Sequence, residues 1–200
     1  MTRWALHLVS RQVFTLVLAG RKMRFGALDE IYTRRLALRR TRRGDLDDYV
    51  RLFRDPRVAA TLGPARSAAQ TAEIVENAIA HWQEHGFGLW TARDRPSGAF
   101  VGRGGLRKAM VEGRSEVEVA YALTPEYWGR GLATELAIES VRAAFAELQL
   151  AELVCFTTPA NRASQRVMEK AGFRYERDIT HADLPHVLYR HTQQAWEAGI

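Results

Sequence analysis

The chain has 200 residues, 46 % of them hydrophobic, which suits a single domain with one filled core. No stretch approaches the ~20 uncharged apolar residues of a membrane span. The 29 Lys and Arg against 23 Asp and Glu give a net charge of +6, yet residues 1–43 hold eleven of the basic residues and only Asp29 and Glu30 as acids. The globular remainder is therefore slightly acidic, which would suit a cationic partner. The lone cysteine, Cys155, excludes an internal disulfide framework. It sits within Leu153-Val154-Cys155-Phe156, where a buried, inert thiol is expected.

At the N-terminus the apolar run 13–19 is flanked by Arg11 and by Arg21-Lys22. This has the outline of a short signal peptide, but Leu18-Ala19-Gly20 is a poor small-x-small cleavage site. The preferred reading makes residues 1–30 a basic and apolar extension, poorly ordered, with Met23 as a possible functional start. A cytoplasmic location goes with it. Arg34-Arg35 and Arg39-Arg40 with Arg42-Arg43 could touch nucleic acid. A strand with solvated charges is preferred, and nucleic acid is not an expected partner.

Residues 31–196 read as one domain. Alternation of Leu36 and Leu38 with polar neighbours predicts a first strand at 34–41. Leu46, Tyr49, Val50 and Phe53 fall at helical spacing over 44–54, and Asp55-Pro56 stops that helix. Ser67 caps a second helix bearing Ile74, Val75, Ala78, Ile79 and Trp82, which Gly86 ends. Three strands follow, at 88–93, 99–107 and 115–123. Arg95-Pro96-Ser97-Gly98 and Glu112-Gly113 mark their turns, so they are antiparallel. A helix over 131–148 carries Leu132, Leu136, Ile138, Val141, Ala144, Phe145 and Leu148. A strand at 152–158, a short helix at 162–171 and strands at 173–180 and 185–191 complete the order β-α-α-β-β-β-α-β-α-β-β. One βαβ crossover inside an otherwise antiparallel sheet means a mixed α/β domain.

The segment Trp128-Gly129-Arg130-Gly131-Leu132-Ala133-Thr134-Glu135 joins the third of those strands to the long helix. Two glycines at such a junction let the backbone approach a ligand, and the helix N-terminus favours an anion, most often phosphate. A P-loop would need Lys-Ser/Thr after the second glycine, where Leu132-Ala133 stands. A dinucleotide fingerprint would need a third glycine where Thr134 stands, and a doubly wound sheet in place of antiparallel strands. A tight turn with packing glycines is the plain structural alternative.

The same eight residues resemble motif A of the Gcn5-related N-acetyltransferases. Asn161-x-x-Ser164-x-x-Val167-Met168-Glu169-Lys170-x-Gly172-Phe173 is similar to the second half of that family's cofactor site. Val117-Glu118-Val119-Ala120-Tyr121, leading through Pro125-Glu126-Tyr127, is a third matching piece. With Arg35-Leu36-x-Leu38-Arg39 and Asp55-Pro56, these resemble the RimJ/RimL-like branch that acetylates N-termini of ribosomal proteins. Two departures stand out: Ala120 takes a position where glycine is usual, and Trp128 replaces Gln or Arg. The resemblance implies a mostly antiparallel α/β sheet, flanked by helices and splayed between its fourth and fifth strands. It implies acetyl-CoA as co-substrate, no metal, an amine acceptor (protein N-terminus or small molecule) and a monomer or homodimer.

It also implies direct attack of the amine on the thioester in a ternary complex. The amides of Gly129, Arg130, Gly131, Leu132, Ala133 and Thr134 would hold the pyrophosphate. Strand backbone at Ala122 and Leu123 would pair with the pantetheine arm, and a main-chain N–H of that strand would meet the thioester oxygen. An α-amino group, with a pKa of ~8 against ~10.4 for Lys, needs less help to deprotonate. Glu118 is the candidate base, directly or through water; otherwise it is a solvated strand carboxylate beside Glu116. Met168 stands where many relatives have a Tyr, so Ser164 is the candidate partner of the departing thiolate. Asn161 can bind cofactor, cap its helix, or do both. Among the histidines, His186 and His191 are an odd number apart on one strand and face opposite ways, so no metal site is expected with His181. His81, Trp82 and His85 could line an acceptor pocket, with a core role equally open to Trp82. The alternative to an enzyme is a non-catalytic acyl-CoA-binding or regulatory module; a third reading is a nucleic-acid-associated protein tethered by its basic arm.

Overall fold

The computed structural model describes residues 28–199 in full and, as backbone, two antiparallel strands, β1 (Phe14–Leu18) and β2 (Arg21–Phe25). The signal-like run and most of the expected extension over 1–30 lie outside the fully described residues. From Leu28 onward the chain packs on the body. Leu28 is buried, and its carbonyl accepts a hydrogen bond from Trp90 Nε1–H at 2.7 Å. None of the described helices is long and apolar enough to cross a membrane.

The mixed α/β class is observed. An eight-stranded sheet has the order β3-β4-β5-β6-β7-β8-β10-β9. Its strands are β3 (Glu30–Tyr32), β4 (Leu36–Arg40), β5 (Leu89–Asp94), β6 (Phe100–Val111), β7 (Arg114–Leu123), β8 (Glu152–Thr157), β9 (Arg174–His181) and β10 (Leu184–Thr192). Neighbours are antiparallel except β7 and β8, the fourth and fifth strands of the sequence reading, which run parallel and register at the single pair Glu118–Val154. The expected splay is this divergence.

Short helices flank the sheet. In α1 (Leu46–Arg54), Tyr49, Leu52 and Phe53 form the buried face. Asp55 does end that helix, but it also begins another, α2 (Pro56–Leu62), absent from the expected order. Its extended backbone cannot continue α1, its carboxylate accepts Arg57 N–H at 2.8 Å, and Pro56 takes the first helical position, where a missing N–H costs nothing. The helix α3 (Ala68–His85) is closed by a capping box between Ser67 and Gln70 and by Gly86 in the left-handed region. After α4 (Leu132–Arg142) the chain continues as a π-helical turn over Ala143–Glu147. That wider winding keeps Ala143, Ala144 and Phe145 all buried. Ile138, counted above with the apolar face, is 49 % exposed because the buried side runs through Leu136, Ala137, Ser140 and Val141. The helices α5 (Arg162–Lys170) and α6 (Gln193–Glu197), the latter not expected, complete the fold.

Besides a small cluster of Val111, Val154, Ile179 and Leu188, two larger apolar clusters result. Leu106 and Val119 of the sheet join Leu132, Leu136, Val141 and Phe145 in one. Tyr49, Leu52 and Phe53 join Val58, Val75 and Ala122 in the other. The basic residues near the N-terminal end of the domain remain partly or largely exposed, as expected, but are also paired: Arg35, Arg39, Arg40 and Arg43 meet Glu135, Asp45, Asp29 and Glu76. Asp45, 1 % exposed, accepts from both terminal nitrogens of Arg39 (2.5 and 2.9 Å), from Arg42 N–H (2.9 Å) and from Thr91 (2.8 Å). Burial works against its charge, but these donors outweigh it and hold the carboxyl below its ordinary pKa.

Asp45→Ala is expected to cost about 3 kcal/mol at neutral pH, because it strands the partly buried Arg39, as urea denaturation would show. Since the folded pKa is lowered, Asp45 contributes fully above the ordinary carboxylate range, and the contribution is lost as pH falls through the folded value. The gap between wild type and variant should therefore close as pH falls through that folded value.

Candidate functional site

The loop after β7 is shaped by backbone and not by side-chain capping. A 3-10 turn over Pro125–Tyr127 leads to Trp128, whose Nε1–H donates to the Leu123 carbonyl at 2.8 Å. Gly129 and Gly131 have φ of 72° and 74°, a region that disfavours any side chain. Gly131 occupies the cap position of α4 and brings no side-chain acceptor to it. The first amides of α4 are therefore left without a side-chain acceptor, the arrangement an anion site would use.

A clasp from the other end of the domain fixes this loop. Glu135 accepts from Thr33 Oγ1 (2.6 Å), Arg35 N–H (2.8 Å) and Arg35 Nε (2.7 Å), while Arg35 also donates to the Arg130 carbonyl at 2.7 Å. Burial disfavours the Glu135 charge, yet these three donors together hold its pKa below the ordinary value.

A cleft of about 480 Å³ runs from the loop to α2 between the diverging β7 and β8. This is the size of a small-molecule site. Glu118, Ala122, Leu123, Gly129, Gly131, Leu132, Ala133, Thr134, Asn161 and Ser164 all line it. Arg130 alone of the expected set does not; its guanidinium lies 5.3 Å from the Tyr127 ring centroid. The Leu123 carbonyl is already taken by Trp128, which leaves other main-chain atoms of that stretch for pairing.

Glu118 is not solvated. It is 4 % exposed and accepts from Arg107 Nε at 2.7 Å, an attraction that raises the Arg107 pKa. Its neighbour Glu116 is buried too, held by Arg190 at 3.1 and 3.3 Å. Asn161 caps α5 through Oδ1, which accepts Ser164 N–H at 3.1 Å. The Ser164 hydroxyl lies 2.9 Å from Tyr121 Oη. Tyr121 is the functional candidate that sequence reasoning missed, because its closeness to Ser164 is made by packing of α5 on β7. Burial, then the nearby Cys155, push its pKa well above the ordinary value, so the hydroxyl keeps its proton. Cys155 is buried as expected, its Sγ donating to the Val119 carbonyl at 3.0 Å, and burial pushes the thiol up.

The α2 end of the cleft departs from expectation. Val58, Thr61 and Leu62 of α2 line it with Arg103 and Arg107 of β6. Trp82 is core, donating to the Leu89 carbonyl at 2.8 Å under the Arg40 guanidinium. His81 bridges the Phe87 carbonyl and Lys108 N–H, both at 2.9 Å, and His85 stacks on Phe87. His186 meets Phe156 and His181, whereas His191 packs against Phe145 and Phe173.

Residues 35–174 match the family model described as an acetyltransferase (GNAT) domain. The YkkB protein of Bacillus subtilis (strain 168) is 31 % identical over 138 residues, spanning 69 % of this chain and 80 % of that protein. The solved acetyltransferase from Agrobacterium tumefaciens str. C58 superposes with a TM-score of 0.73 at 26 % identity, covering 86 % of this chain and 99 % of its own. The aminoglycoside acetyltransferase AAC(6')-Ib, solved with coenzyme A, shares the fold at a TM-score of 0.68 and 20 % identity, covering 82 % and 98 %.

Glu135→Ala leaves the Arg35 amide and the Thr33 hydroxyl without their acceptor and should lower stability by about 1–3 kcal/mol in thermal melts. Gly131→Ala should cost about 1–2 kcal/mol for the left-handed backbone alone.

Proposed function

The chain belongs to the GNAT family of acetyltransferases, and on that premise we propose that it moves an acetyl group from acetyl-CoA directly to a primary amine in a ternary complex. The observation that carries this reading is the convergence in one cleft of the uncapped α4 amides, the freed edge of β7, Glu118 and the Tyr121–Ser164 pair. The donor set fits the group: glycine-framed N–H groups suit a pyrophosphate, and β7 past Glu118 has no β8 ladder, so its backbone can pair with an amide-bearing arm. Bound there, acetyl-CoA supplies the acetyl group as an activated thioester.

The chain's own residues do the rest. Glu118 takes the proton from the acceptor amine, directly or through one water, and Arg107 holds the carboxylate in place. A main-chain N–H of β7 meets the thioester oxygen as charge develops on it. Tyr121 and Ser164 offer hydroxyl hydrogens to the departing sulfur. A serine alone is a poor acid, and a buried tyrosine that keeps its proton is the better source. The placement in the RimJ/RimL-like branch and a cytoplasmic location belong to the same proposal. Branch membership rests on the linked motifs, and either a protein N-terminus or a small-molecule amine is compatible with it.

Glu118→Gln should lower kcat at least ~10²-fold while the Kd for acetyl-CoA stays as in wild type, read by CoA release and by calorimetry. Binding without release across a broad amine panel would favour a non-catalytic acyl-CoA-binding module instead. Tyr121→Phe and Ser164→Ala should each slow turnover about tenfold, and the double variant should be little worse than the poorer single one, as expected of residues acting as a unit.

A further inference from the structure

One cation at the α2 end of the cleft has no partner. Arg103 stands on β6 opposite Ala122 of β7 and Thr91 of β5. It lines the cleft with its guanidinium 5.0 Å from the Phe53 ring centroid. Its Nε is buried without a hydrogen-bond partner, and among the described residues no carboxylate pairs with it. Arg66 lies 5.2 Å from the same ring and is likewise unpaired among those residues. The neighbouring carboxylates are committed elsewhere: Asp45 to Arg39, Asp48 to Arg93 and Arg51, Glu118 to Arg107. Burial pushes the Arg103 pKa down to about 10, with Arg107 and Arg66 acting the same way against Tyr49 and Glu118, so it remains charged near neutrality.

A partly buried cation with no counter-charge is costly to keep, and a guanidinium fork matches a carboxylate in a bidentate geometry that an apolar or cationic group cannot satisfy. Arg103 and Arg66 thus leave positive charge uncompensated at this end among the described residues. We propose that the acceptor is an acidic amine: Arg103, with Arg66 beside it, binds a carboxylate of the acceptor while the amine is presented to Glu118. This rests on the acetyl-transfer reading above. Arg103 and Arg107, the strand partner of Glu118, are four residues apart on β6, or ~13 Å between Cα atoms. That separation favours a carboxylate several bonds from the amine, as on the side chain of an N-terminal Glu, over an α-carboxylate.

The test compares matched acceptors: tripeptides beginning with Glu or Gln, free glutamate and glutamine, and kanamycin as a polycation. Glu-initiated acceptors should show kcat/KM at least about tenfold above their Gln counterparts, one unit of 1.4 kcal/mol. Arg103→Met should erase that ratio while leaving the acetyl-CoA Kd unchanged. Arg103→Lys, which keeps charge without the fork, should retain part of the preference, and it serves as the second variant should the Met form fail to fold by circular dichroism. A ratio near one, a preference for kanamycin, or a weakened acetyl-CoA Kd with the ratio intact would each overturn the proposal. If no amine turns over, calorimetry with the same peptides on CoA-saturated protein decides separately. Tighter binding of the Glu peptide that is lost in Arg103→Met supports the anion site even though acetyl transfer has failed, and equal binding overturns it.

Discussion

Among the described strands, β7 and β8 are the only parallel neighbours, and their ladder is reduced to the pair Glu118–Val154. A parallel pair requires a crossover, and α4 supplies it. The loop that starts the crossover thus lies at the end of the strand whose edge is released. Beyond Glu118 the backbone of β7 has no β8 partner, and the Cys155 thiol reaches the Val119 carbonyl where a ladder bond would otherwise form. The cleft, the exposed strand edge and the buried Glu118 at the last paired position are therefore consequences of one divergence. Closing it would remove all three together.

Charge is distributed around that opening in two ways. The arginines of 35–43 are spent on structure. Arg35 ties the start of the first long strand to the glycine loop through Glu135, and Arg39 ties it to the start of α1 through Asp45. The first pair joins residues a hundred positions apart, and in the second the inaccessible Asp45 is the partner whose loss would strand Arg39. Within the cleft the pattern reverses. Arg107 has Glu118, but Arg103 has no carboxylate partner among the described residues.

Much of this was legible from periodicity and punctuation. Alternation marked Leu36 and Leu38, the Ser67 and Gly86 caps bounded α3, and two glycines at a strand-to-helix junction marked the loop. Asp55-Pro56 was legible only in part, because a residue that stops one helix by turning its backbone extended can cap the next with its carboxylate. The miss matters because α2 lines one end of the cleft. Ile138 and Trp82 were ambiguous for another reason: helical spacing says which residues share a stripe, not which stripe meets the sheet. Glu118 is a further case, for its alternation with Val117 and Val119 does not reveal that Arg107 lies across the strand to bury it.

What the amino-acid sequence determined by itself is local: element types, turns, the glycine loop, and the linked motifs at 117–135 and 161–173 that point to the family. These depend on backbone preferences and on residues within one turn or strand of each other. Only the tertiary structure decided which polar groups meet across the fold. Tyr121 faces Ser164 over 43 positions, and Arg103 is left without a partner because every nearby carboxylate had already found another. Pairing between distant residues depends on strand register and helix docking, and a buried charge can be called paired or orphaned only once all its neighbours are in place.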